Sequence, residues 1–93
     1  MEQMTLSDFA DAVGAAYSIT VGDGQIELAL ERADELPAWS PETESFRLQF
    51  RGPFEPILPQ ATYSLQRGDE AFEIFIVPIA RDEAGTRYEA IFN

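Results

Sequence analysis

Phe72-Glu73-Ile74-Phe75-Ile76-Val77-Pro78-Ile79-Ala80 is the densest apolar run in the chain, and it reads as a strand. Extended backbone sends successive side chains to opposite faces, so Phe72, Ile74 and Ile76 share one face and Phe75, Val77 and Ile79 the other. Pro78 has no N–H to give a ladder, which places its end of the strand at an edge or a bulge. A strand that is apolar on both faces needs two covers. If one face fills a core, the other is covered by an N-terminal helix or by another protein. Left bare, Phe75, Val77, Ile79 and the neighbouring Ile91 form an apolar patch of a kind that monomers rarely keep. The helix is the expected cover, and a partner interface on those four residues is the other reading.

Outward from this strand the period of two recurs. Asp82-Glu83-Ala84-Gly85 supplies a turn into a last strand over residues 87–93, and Tyr63 and Leu65 begin a strand that ends near Arg67-Gly68-Asp69. Phe46, Leu48 and Phe50 alternate with Arg47, Gln49 and Arg51, a half-buried strand. Pro53, Pro56 and Pro59 recur every third residue, which predicts a polyproline II ridge with Phe54 and Ile57 on another ridge. That segment reads as a stiff crossover strapped to the sheet by Phe54, Ile57 and Leu58. Tyr17, Ile19 and Val21, then Gly22-Asp23-Gly24, then Ile26, Leu28 and Leu30 read as a β-hairpin. Residues 33–44 hold Pro37, Pro41 and several acids around Trp39, and read as a polar loop. At the start, Thr5 and Asp8 form a capping-box pattern, Leu6, Phe9 or Ala10, and Val13 make one helical stripe, and Gly14 is a C-terminal stop. The expected fold is mainly β (α+β): about six antiparallel strands in a small barrel or sandwich with one short N-terminal helix, over residues 5–14, packed on it. Residues 1–93 make one domain.

Composition narrows the chemistry. Seventeen acids against six bases give a net charge of −11, the wrong sign for a protein that gains affinity by neutralising phosphates. There is no Cys, His or Lys, and all six cations are arginines. That removes thiol nucleophiles, thiolate zinc sites, the usual general base and Schiff-base chemistry. No enzymatic activity, metal or cofactor is expected. Met1-Glu2-Gln3-Met4 lacks the cationic start of a signal peptide, and no run approaches the roughly 20 apolar residues of a membrane span, so a cytoplasmic location with no membrane partner is expected.

Each remaining motif has a plain reading beside a functional one. Arg47 and Arg51 on one strand face Glu27 and Glu31 on another as cross-strand ion pairs, rather than forming an anion site. Arg67-Gly68-Asp69 spells an adhesion tripeptide but is also ordinary turn chemistry. Pro53, Pro56 and Pro59 match a P-x-x-P ligand but fit a strap better. The acid pairs Asp34-Glu35, Asp69-Glu70 and Asp82-Glu83 lack the spacing of a calcium loop, and adjacent strand residues point apart. Gly22-Asp23-Gly24 lacks the helix of a dinucleotide site.

Gly52-Pro53, Leu58-Pro59-Gln60, Thr62-Tyr63, Phe75-x-Val77-Pro78 and Tyr88-Glu89-Ala90-x-Phe92-Asn93, in this order, resemble a family of small bacterial domains of unknown function. The likeness covers residues 46–93; the helix and first hairpin are similar in pattern only. Members of that family often occur beside tail-collar-type fibre proteins, which implies a structural, adaptor or assembly role and carries no catalytic residue across. This chain has Ala61 where the family favours Gly and Gln66 where a His is common. The shared residues read physically as turn, strap and core positions. Asn93, at the end, would close the sheet edge.

Together these point to a non-enzymatic interaction or assembly accessory of a phage-like tail fibre or appendage system, with a fibre or appendage protein as partner and a homo-oligomer as a further option. Two alternatives follow from other features. One is an acidic inhibitor that mimics DNA and occupies a basic nucleic-acid-binding protein. The other is a small-ligand barrel, against which Phe46, Phe50, Phe72 and Phe92 count as interior filling.

Overall fold

The computed structural model describes residues 5–37 and 45–92. In chain order its elements are α1 (Ser7–Ala10), β1 (Ala16–Val21), β2 (Gly24–Leu36), β3 (Ser45–Gly52), β4 (Ala61–Arg67), β5 (Glu70–Asp82) and β6 (Gly85–Phe92). The six strands close into a barrel in the order β1-β2-β3-β6-β5-β4, and every neighbouring pair is antiparallel.

Two long strands make that closure possible. β2 pairs with β1 from Gly24 to Ala29 and with β3 from Ala29 onward, with a bulge between Leu30 and Arg32. β5 pairs with β4 up to Ile76 and with β6 from Val77, with a second bulge between Pro78 and Ala80. An extra residue in one strand bends it and adds twist, so each long strand turns a corner as it changes partner. Pro78 thus lies beside a bulge, as its missing N–H requires. The last seam is slight: Ser18 opposite Gln66 is the one ladder pair between β1 and β4.

Alternate residues fill the interior. Tyr17, Ile19, Leu28, Leu30, Phe46, Leu48, Phe50, Leu65, Ile74, Ile76, Tyr88 and Ala90 are buried, and Phe72 and Phe92 pack against them. Both the hairpin and the alternation of residues 46–51 therefore appear as the period predicts.

Four expectations need correction. The loop reading of residues 33–44 fails at its start, because 33–36 continue β2 opposite β3, Ala33 across from Leu48 and Asp34 across from Arg47. Both acids lie on a paired strand, Asp34 balanced by Arg32 and Arg47 and Glu35 exposed opposite Phe46; residues 38–44, with Trp39 and Pro41, are outside the described region. The helix spans four residues, followed by turns to Gly14, not the whole of 5–14. Half of the capping box forms, the Thr5 N–H donating to Asp8 Oδ2 at 2.8 Å, while the Thr5 hydroxyl bonds Ser7. With so short a helix the stripe shifts: Phe9 and Ala12 are buried and Val13 is exposed. In the crossover, only Leu58 of the three expected straps is buried; Phe54 and Ile57 face solvent.

The fourth correction concerns position. α1 does not lie over the outer face of β5. Phe9, fully buried, sits with its ring centroid 5.3 Å from Phe72 and 6.3 Å from both Phe46 and Phe92. Those are inward-facing residues, so the helix stoppers one end of the barrel. Gly14 (φ 96°) then links this stopper to β2, its N–H donating to Leu30 O at 2.7 Å.

Candidate functional site

Because α1 stoppers the barrel, the second face of β5 stays uncovered by it. Phe75, Ile79 and Ile91 are 52%, 47% and 48% exposed, and Val77 is half-buried. Val77 stands opposite Glu89 on β6. In an antiparallel pair, Phe75 and Ile91 each lie two residues beyond that pair in the same direction, and so on the same outer face. Thr62, the β4 neighbour of Phe75, is exposed too. The four residues named from sequence therefore share one outer face, with Ile79 in the bulge.

A polar lattice borders this face. Arg47, opposite Ile91, reaches Asp34 Oδ2 at 3.3 Å and Glu89 Oε2 at 3.5 Å. Glu31 takes Arg87 at 3.1 Å and Arg51 at 3.6 Å, and Gln49 donates to the same carboxylate. Cross-strand pairing was expected between Arg47, Arg51 and Glu27, Glu31; only Arg51–Glu31 occurs. The β2 bulge moves Glu31 and brings Asp34, not Glu27, opposite Arg47, and Glu27 pairs across to Ser18 on β1. Asp34 was not legible as a partner while 33–36 read as loop.

The far end of the barrel carries the crossover. The Leu58 N–H donates to the Tyr88 hydroxyl at 2.9 Å, and the Tyr63 hydroxyl donates to Pro59 O at 2.6 Å. The Arg81 guanidinium lies 3.6 Å from the Phe54 ring centroid, its Nε donates to Phe54 O, and it pairs with Glu55 at 3.1 Å. Glu55, Pro56, Ile57 and Arg81 line a wide-open cavity of about 510 Å³. Arg81 and Phe54 had no signal in periodicity, since they meet across 27 residues.

Most of the motif residues have structural work. A Cβ on Gly52 would meet Leu28 Cδ2 at 2.6 Å and the Tyr88 ring at 3.2 Å, so only hydrogen fits without a shift. Pro53, Pro59 and Gln60 are exposed, Pro78 is half-buried opposite Tyr88, and the Phe92 ring stacks on Phe46 at 4.4 Å. Asn93 lies outside the described residues. Arg67 of the adhesion tripeptide is engaged by Glu70 and by the Tyr17 hydroxyl and ring.

Electrostatic shifts follow these contacts. The Asp82 carboxylate accepts the Ala84 N–H at 2.8 Å and pairs with Arg87, which holds its pKa below the usual 3.8 and raises that of Arg87. Burial pushes the Tyr17 hydroxyl above its usual 10, against the opposing charge of Arg67. Among the described residues no three acidic side chains converge as a metal site requires, and no helix is long and apolar enough to cross a membrane.

No curated protein and no solved structure matches the chain. Residues 4–92 match the family model described as Domain of unknown function (DUF6916). With nearly the whole barrel inside that match, the chain belongs to this family of unknown function.

Proposed function

We propose that the chain is a non-enzymatic protein-interaction module that docks through the outer β5–β6 face. One observation carries this: Phe75, Ile79 and Ile91 stand about half exposed together beside Val77, because the helix that was expected to cover them stoppers the barrel end. Large apolar side chains grouped on a rigid, bulged strand are what a partner's apolar surface needs. The resemblance to domains found beside tail-collar-type fibre proteins supports the finer reading, an assembly accessory of a fibre or appendage system. The acidic-decoy alternative draws on charge alone: among the described residues, Asp23, Glu27, Asp69 and Glu83, half of the exposed acids without an arginine partner, lie apart on the hairpin and the turns. The ligand-barrel alternative competes with an interior occupied by aromatic and aliphatic side chains.

Co-purification with a tail-collar-type fibre protein tests this. Phe75→Glu and Ile91→Glu place a charge on an exposed face, so both variants keep the wild-type circular dichroism and melt within a few degrees of it, yet lose the fibre protein. Retention of the fibre protein by both variants removes the face from the reading. Failure of the wild type to hold any fibre protein removes the assembly role.

A further inference from the structure

We propose that the β5–β6 face takes a foreign protein with an apolar centre and a basic rim, and not a second copy of this chain; this rests on the docking reading above. The argument is a census of charge. All six arginines are already engaged by the chain's own acids: Arg32 and Arg47 by Asp34, Arg47 also by Glu89, Arg51 and Arg87 by Glu31, Arg67 by Glu70 and Arg81 by Glu55. There is no Lys or His to add another cation.

The acids are in the opposite condition. Asp8, Asp11, Asp23, Glu27, Glu35, Asp69, Glu73 and Glu83 are exposed, and none is in an ion pair with an arginine. Several gather at the stoppered end, where the patch also reaches. Asp8 and Asp11 flank Phe9, Glu35 stands opposite Phe46, and Glu73 adjoins Phe72. Glu73 is also two residues from Phe75, on the same face of β5. Ile91 is next to Phe92.

A second copy brings the same net charge of −11 and no free arginine. Juxtaposing two such faces sets carboxylates against carboxylates, and freeing an arginine to answer them breaks a pair already made. A partner with lysines or arginines around an apolar centre meets the patch with its centre and the bare carboxylates with its rim. Such charge also steers encounter at long range and weakens as salt screens it.

Two synthetic peptides test this against the ¹⁵N-labelled full chain by NMR titration. They share a Leu-Phe-Leu centre; lysines flank it in one and glutamates in the other. The lysine peptide is expected to move the amides of residues 73–79 and 89–91, to bind at least about tenfold more tightly than the glutamate peptide, and to lose that advantage at about 0.5 M salt. Phe75→Ser is expected to abolish the shifts, while Glu73→Gln with Glu35→Gln, which leaves the apolar side chains in place, narrows the difference between the peptides. Equal binding of the two peptides overturns the basic partner and leaves the docking face standing. So does a dimer in analytical ultracentrifugation that Phe75→Ser dissolves. If neither peptide nor self-association moves these amides, the docking face falls with it.

Discussion

Tyr63 and Tyr88 are alike as residue types and differ in what their hydroxyls hold. Tyr88 is buried and its oxygen is the acceptor for the Leu58 N–H, the contact that seats the crossover. Tyr88→Phe leaves that buried N–H without a partner, a penalty of about 1–3 kcal/mol. Tyr63 is more open, and Tyr63→Phe exposes Pro59 O to water that can replace the lost donor, so about 1 kcal/mol or less is expected. Urea melts of both variants check the ordering; equal losses would show that Leu58 is seated by its apolar contacts alone. Gly52 makes a second residue-scale case. Gly52→Ala drives a methyl into Leu28 and Tyr88, and overpacking of that kind costs about 1–3 kcal/mol. Its thermal midpoint should fall by several degrees for each kcal/mol, about 4–8 °C in a domain of this size.

At the scale of elements, α1 is too short to stand alone, and its value lies in one ring. Phe9→Ala removes a fully buried aromatic from contact with Phe46, Phe72 and Phe92, which costs about 3–5 kcal/mol. That is a large part of the roughly 5–15 kcal/mol that holds a domain together. Val13→Ala, at an exposed position of the same segment, should change stability by less than about 0.5 kcal/mol. Comparable losses in the two variants would contradict a stopper built on Phe9. The β5–β6 turn gives a pH prediction. Asp82 is depressed in the folded state, so its contribution is present above the usual 3.8 and is lost as pH falls through the lower folded value. Asp82→Asn should therefore flatten the acid side of the stability profile below that point and leave the neutral side parallel to wild type. The strands were legible wherever one face met a core, since alternation is forced by the pleat: residues 46–51 and the hairpin were read correctly from period alone. The end of β2 was not, because Asp34 is held by Arg47 and Glu35 faces Phe46, both from β3, and a local reading sees only polar residues. The seat of the helix was also hidden. Spacing showed an apolar stripe with Phe9 as one candidate, but only closure of the barrel creates the ring of phenylalanines that Phe9 enters. The patch residues were legible as a group, and whether they would be covered was not.

Over the whole molecule, two electrostatic effects oppose each other, and distance decides between them. The ion pairs that stabilise the barrel have N–O separations of 3.1–3.7 Å in the Arg47, Arg51, Arg67 and Arg87–Glu31 contacts. The excess acids repel one another across a body 41 × 29 × 22 Å. The Debye length falls from about 30 Å at 0.01 M salt to about 8 Å at 0.15 M. Over that range the molecule-wide repulsion is largely screened, while the close pairs stay well inside the screening length. Exposed and half-exposed pairs of this kind are in any case worth only about 0–1 kcal/mol each. Repulsion in a chain of net charge −11 should therefore be the larger salt-sensitive quantity, and the melting midpoint should rise between 0.01 and about 0.15 M sodium chloride. A midpoint that falls over that interval would mean that the arginine lattice on β2, β3 and β6 contributes more than its exposure allows. Glu31→Gln separates the causes. It removes the acid shared by Arg51 and Arg87 and also one unit of excess negative charge; if repulsion dominates, the variant keeps most of its stability at low salt and shows a shallower rise with added salt than the wild type.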